Sequence, residues 1–191
     1  MSRAAAVQAL RRTLEQSGPA RLARLDDILA KRAASPVMVL ENAADPHNAA
    51  ACLRSAEGFG LQYAHLVERH GTARVSGSVA TDADRWLTIS RFPKPQACVD
   101  DLRKRGCTII ASDLSPDAAP LGDVLDELAR QNISNVAFVL GNEHGGISPY
   151  MRAAADRRFI LPMYGFVQSY NMSASAAMVR ARARCDRANP I

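Results

Sequence analysis

The chain is poor in cysteine, in aromatic residues and in long apolar runs, and each shortage excludes a class of protein. Its four cysteines, Cys52, Cys98, Cys107 and Cys185, never form a CxxC pair. That argues against a disulfide scaffold and a thiolate zinc site, and for reduced structural thiols. The histidines, His47, His65, His70 and His144, have no metal-ligand spacing either, so no metal is expected. No apolar stretch approaches the roughly 20 residues that cross a bilayer, and the start carries Arg3, Arg11 and Arg12 but no apolar signal core. A cytoplasmic protein without a membrane partner is expected. Aromatic residues are 5% of the chain and dispersed, too few for a helix that lies in a membrane surface on an aromatic-rich face. No strand leads into GxGxxG, and neither GxxxxGK[ST] nor GxSxG occurs, so a dinucleotide fold, a P-loop and a hydrolase elbow are unsupported.

What is present is the make-up of a folded protein, 48% hydrophobic and 23% charged over 191 residues, enough for one core with appendages. The net charge of +5 makes a polyanionic partner plausible. In residues 1–35, Val7, Leu10 and Leu14, then Leu22, Leu25, Ile28 and Leu29, recur at helical spacing and are interrupted at Ser17-Gly18-Pro19. This predicts a two-helix extension with basic outer faces, either solvated or in contact with RNA. From residue 36 to 191 short apolar runs alternate with helical stretches, the pattern of an α/β domain with a largely parallel sheet. Strands are predicted at 37–41, 63–67, 85–89, 108–112, 136–140 and 159–161, and helices at 48–59, 95–105, 123–131, 148–154 and 173–187. The glycines of Gly58-Phe59-Gly60 read as a helix terminator.

Three polar segments adjoin strands, where parallel sheets place ligands. In the first, from Glu41 to Gly60, Asp45-Pro46 makes a turn, Asn48 is expected to cap the next helix, and Arg54 follows one and two-thirds turns later. In the second, Phe138 to Pro149, an apolar strand runs into Gly141-Asn142-Glu143-His144-Gly145-Gly146, with Ser148 as helix cap and Pro149 behind it. In the third, Leu161 to Met178, the polar group Gln168, Ser169 and Asn171 precedes a helix so rich in alanine and serine that it must pack closely. Taken one by one, Asn48 also reads as a plain cap and Arg54 as a surface ion-pair partner.

Together these motifs resemble the SpoU/TrmH branch of the SPOUT methyltransferases in order and separation: Asn48 with Arg54, then Gly141-Asn142-Glu143 with Gly146, then Leu161-Pro162-Met163 through Ser169 and Asn171. Gly77-Ser78 and Trp86-Leu87 are similar to the family's intermediate segment. The resemblance implies a parallel sheet flanked by helices, with a deep trefoil knot in the C-terminal part. It implies S-adenosylmethionine as cofactor, a homodimer with sites near the subunit interface, and transfer of a methyl group to an RNA ribose 2′-hydroxyl. By the same resemblance Ser112, Gly141, Leu161 and Tyr170 hold the cofactor, and Arg54, Asn48, Glu143, Ser169 and Asn171 are the catalytic set. The family usually has leucine where Tyr170 stands, a change expected to be tolerated because contacts there are largely through the backbone.

The role of Arg54 stays open between proton acceptor and electrostatic helper, since an arginine is charged at neutral pH. The basic N-terminal helices resemble those of tRNA-acting members that methylate a D-loop guanosine, so tRNA is the expected substrate. Methylation of rRNA or of another tRNA position is the alternative, and a non-catalytic RNA-binding module is the alternative of a different class.

Overall fold

Val37-Met-Val-Leu-Glu41 is apolar up to its last residue and buried throughout, as a strand covered on both faces requires. The computed structural model describes residues 18–43, 45–68, 83–142, 145–167 and 169–188, with side chains as far as Ala183. Among these, β1 (Val37–Glu41), β2 (Tyr63–Val67), β3 (Thr88–Phe92), β4 (Thr108–Ser112), β5 (Ala119–Pro120), β6 (Val136–Leu140) and β7 (Arg157–Ile160) form one sheet. The order is β3-β2-β1-β6-β4-β7-β5, and every pairing is parallel. The chain builds β1 to β3 outward, crosses to β4, and later returns β6 into the slot between β1 and β4.

Alternation along the strands splits the core between the two faces of the sheet. Met38, Leu40, Ile110, Phe138 and Leu140 point to one face, where they pack with α2 (Pro46–Gly58), α4 (Leu121–Arg130) and α6 (Met172–Ala188). Val39, Ile109, Ala137 and Val139 point to the other, against α3 (Pro95–Lys104) and α5 (Pro149–Ala154). A fully buried leucine such as Leu53 or Leu102 contributes about 2 kcal/mol. The small residues of α6 have the expected use: α2 and α6 pack together through Ala49, Cys52, Ala56, Ala176 and Val179.

The chain divides into two compact units, residues 1–32 and 33–191. In the first, α1 (Pro19–Ala30) follows Gly18, whose φ of 94° suits glycine, and it exposes Arg21 and Arg24. The helix predicted before Ser17 lies outside the described residues.

Two local expectations need correction. Asn48 does not cap α2. Asp45 does, its carboxylate accepting the His47 N–H at 2.8 Å, and Pro46 at the first helical position starts the helix two residues earlier than expected. The strand predicted at 85–89 begins at Thr88, because Ala83–Trp86 close a 3-10 turn first. Ser148 caps α5 as predicted, accepting the Met151 N–H at 3.2 Å with Pro149 behind it. After α2, Gly60 supplies the left-handed conformation at φ 76°.

Candidate active site

The ends of β4, β6 and β7 lead into three loops that enclose a cavity of about 300 Å³. Among the described residues its walls are Ser112 to Leu114, the glycines and Asn142 of the loop after β6, and Leu161, Met163, Ser169 and Tyr170, with Met172 and Ser175 of α6. Ser112, Gly141, Leu161 and Tyr170 all line it, and so does Ser169.

The glycine-rich wall is fixed by close backbone contacts. A Cβ on Gly141 would lie 2.1 Å from the carbonyl carbon of Gly146 and 2.4 Å from the Ile147 nitrogen, so no side chain fits where the loop folds back on itself. Asn142 organises that fold. Its main-chain oxygen accepts the Gly146 N–H at 2.9 Å, its side-chain oxygen accepts the Gly145 N–H at 2.6 Å, and its side-chain NH2 donates to the Asn42 carbonyl at 3.2 Å. Gly146, at φ 61°, turns the chain back. Glu143 and Gln168 lie outside the described residues, as do Gly77 and Ser78. Trp86 is exposed and Leu87 buried.

Asn48 and Arg54 stand apart from the cavity wall, and Asn171 connects one of them to it. The Asn171 side-chain oxygen accepts the Ser173 N–H at 2.8 Å and the Ser173 hydroxyl at 2.6 Å, capping α6. With its oxygen engaged, its NH2 donates to Asn48 Oδ1 at 2.9 Å. Arg54 is exposed on α2, about 9 Å along the axis and roughly 120° around it from Asn48, by helical geometry. It does not line this cavity among the described residues.

The charged wall was not foreseen. Asp113, its side chain 5% exposed, receives Arg152 in two-pronged fashion, Nη2 to Oδ1 and Nε to Oδ2, each at 3.0 Å. It also accepts the Ser115 hydroxyl at 2.8 Å and the Leu114 N–H at 3.0 Å. A carboxylate so fully used is a holder, and what it holds is the Arg152 guanidinium at the cavity wall. Arg158 joins from 3.6 Å and pairs with Asp117. Position at a strand's carboxyl end could have flagged Asp113, but no spacing announces a partner 39 residues away. Tyr170 adds a bond absent with leucine, its hydroxyl donating to the Pro162 carbonyl at a long 3.3 Å.

A second constellation has the outline of a nucleophilic triad and not its chemistry. Cys98 Sγ lies 3.8 Å from His65 Nδ1, and His65 Nε2 lies 3.6 Å from Asp101. Burial pushes the Cys98 thiol up to about 12 and the His65 imidazole down to about 4, Asp101 offsetting the latter only partly. Catalysis would need the opposite shifts. Both residues are fully buried, and the row is core. Among the described residues no group of three or more His, Cys, Asp or Glu could hold a metal ion, and no helix is long and apolar enough to cross a membrane.

A cavity walled by loops at the carboxyl ends of parallel strands, lined among the described residues by glycines, apolar and small polar residues and the Asp113–Arg152 pair, defines an α/β protein built to hold a small ligand. The chain belongs to the SpoU rRNA Methylase family, which matches residues 35–181. The tRNA (guanosine(18)-2'-O)-methyltransferase of Borreliella burgdorferi is 31% identical over 82% of this chain and 69% of its own. The crystal structure of the A. aeolicus TrmH/SpoU tRNA modifying enzyme superposes with a TM-score of 0.78 at 26% identity, covering 92% of this chain and 85% of that one. The SpoU methyltransferase AviRb from Streptomyces viridochromogenes, solved in complex with AdoMet, shares the fold at a TM-score of 0.67 and 19% identity, over 85% of this chain and 62% of its own.

Proposed function

We propose that this protein is an S-adenosylmethionine-dependent RNA 2′-O-ribose methyltransferase whose substrate is tRNA, with a guanosine of the D-loop, position 18, as the nucleotide modified. The observation that carries the reading is the junction of Asn171 with Asn48, which ties the loop bounding the cavity to the helix that bears Arg54. Relatives named for guanosine-18 methylation, alike over most of both chains, support the choice of tRNA.

The cavity fits the cofactor by its chemistry. Leu114, Leu140, Ile147, Leu161 and Met163 offer apolar surface for a purine, and the backbone of Ser112, Gly141, Leu161 and Tyr170 offers polar groups. When bound, the cofactor supplies an activated methyl group on a sulfonium. The protein must bring a ribose hydroxyl in line with that group, so positioning is a large part of the catalysis. Asn48 positions Arg54 or the ribose. Ser169 and Asn171 complete the pocket, and Glu143 belongs to the same proposed catalytic set. Arg54 grips a phosphate and stabilises the oxyanion as the hydroxyl loses its proton; a pH–rate profile decides whether it also takes the proton.

Arg54 does not line the cavity among the described residues, and a homodimer with its sites near the subunit boundary is part of the reading. The trefoil knot belongs to the same proposal, supported by the late entry of β6 between β1 and β4. Arg21 and Arg24 of α1 contact RNA phosphates. The test is transfer of labelled methyl to total tRNA and, separately, to rRNA, followed by nuclease mapping. Label in a D-loop guanosine, on the ribose, is the expected result. Label only in rRNA keeps the chemistry and overturns the substrate, and no label in either overturns the reading.

A further inference from the structure

Glu41 is a full carboxylate at the end of an otherwise apolar strand, and it is 0% exposed. Burying a carboxylate away from water is unfavourable unless hydrogen bonds repay it. Among the described residues Oε2 accepts one hydrogen bond, from the Ser148 N–H at 2.8 Å, and Oε1 has no partner. An apolar side chain would fill the same space without that cost, so packing alone does not ask for a carboxylate.

What the carboxylate does is geometric. Ser148 is 107 residues away in sequence, 6% exposed, and stands where the glycine-rich wall ends and α5 begins. The neighbouring residue fastens the other end of the same wall: Asn42, at φ 54°, turns its carbonyl to accept the Asn142 NH2 at 3.2 Å. The tip of β1 therefore grips the loop from 142 to 148 at both ends. The same tip leads through Asp45 into α2, which carries Asn48 and Arg54.

We propose that Glu41 is a positioning residue that sets the glycine-rich wall of the cavity in register with α2, so that the cofactor's side and the RNA's side of the site are aligned by one buried carboxylate. The inference rests on the methyltransferase reading above. Glu41 touches neither ligand. Its effect passes through the Ser148 N–H.

The test compares E41Q, which keeps an acceptor for that N–H, with E41A, which does not, and with E41D, whose arm is one methylene too short and which replaces E41A if the latter does not fold. Hydrogen exchange over residues 141–148 and binding of S-adenosylmethionine by calorimetry are read on each. E41A and E41D are expected to exchange faster over 141–148 with α3 and α4 unchanged, and to bind cofactor about tenfold or more weakly, the loss of one charge-assisted hydrogen bond. E41Q should stay within about threefold of the unaltered protein, a difference below 1 kcal/mol. Unaltered exchange and affinity in E41A or E41D, or an E41Q as impaired as either, overturns the proposal. An unaltered protein that binds no S-adenosylmethionine overturns the methyltransferase reading instead, and the exchange data still decide for or against Glu41.

Discussion

Asn171 donates from its side-chain NH2 to Asn48 Oδ1 at 2.9 Å, across 123 residues of sequence. The same side chain caps α6 through its oxygen. One residue thus starts α6, whose Met172 and Ser175 line the cavity, and fixes α2, the helix that carries Arg54. Asn171→Ala should cost about 1 kcal/mol of stability from the lost cap and a further loss of turnover. In a double-mutant cycle with Asn48→Ala, the turnover losses should be non-additive. Additive losses would show that the two asparagines act separately.

Gly141 and Gly146 face opposite constraints. Gly141→Ala drives a methyl into the Gly146 backbone at 2.1 Å and should remove cofactor binding or unfold the loop. Gly146 has a left-handed φ of 61° and open space beside it, so Gly146→Ala should cost only about 1–2 kcal/mol. Calorimetry with S-adenosylmethionine on both variants, with thermal melts, checks the ranking. Equal tolerance at the two positions contradicts the close approach.

His65 makes stability depend on acidity. Burial holds its folded pKa at about 4, below the ordinary 6.5, so between these values the unfolded chain binds more protons. Stability is therefore intact at neutral pH and is lost as pH falls through that window. From pH 7 to pH 5 the loss should be about 2 kcal/mol from this residue. Urea unfolding at both pH values, on the protein and on His65→Leu, measures it, and the variant's pH-dependent loss should be smaller by that amount. An identical pH dependence would rule out His65 as the cause.

Arg21 and Arg24 are exposed on α1, whereas Arg103, Arg105, Arg152, Arg157 and Arg158 are tied to carboxylates. The former suit phosphate contact better. Replacing both Arg21 and Arg24 by alanine should weaken RNA binding and lower the slope of log affinity against log salt by up to about two. An unchanged slope places α1 outside the contact surface.

Most of the sheet was legible because its strands are short, apolar and buried on both faces. β1, β2, β4 and β6 fall where their apolar runs end. β7 was harder: its first residues are Arg157 and Arg158, which look like loop until Glu127 and Asp117 pair with them from elsewhere in the fold. β5 is Ala119 and Pro120 alone, too short to carry a pattern. At the site, Ser112, Gly141, Leu161, Ser169 and Tyr170 were found through motif resemblance and meet in one cavity. Sequence could not supply the contacts that place them. The Glu41–Ser148, Asp113–Arg152 and Asn48–Asn171 pairs join residues 39 to 123 positions apart, and only the closed sheet brings such residues together.

The central claim is a division of labour in which the cavity holds the cofactor and Arg54 acts on the RNA. Arg54→Ala tests it most directly, with methyl transfer to tRNA and S-adenosylmethionine affinity measured on the same preparation. The account predicts turnover lost beyond detection and cofactor affinity close to that of the unaltered protein. Lost cofactor binding, or turnover that survives, would contradict it.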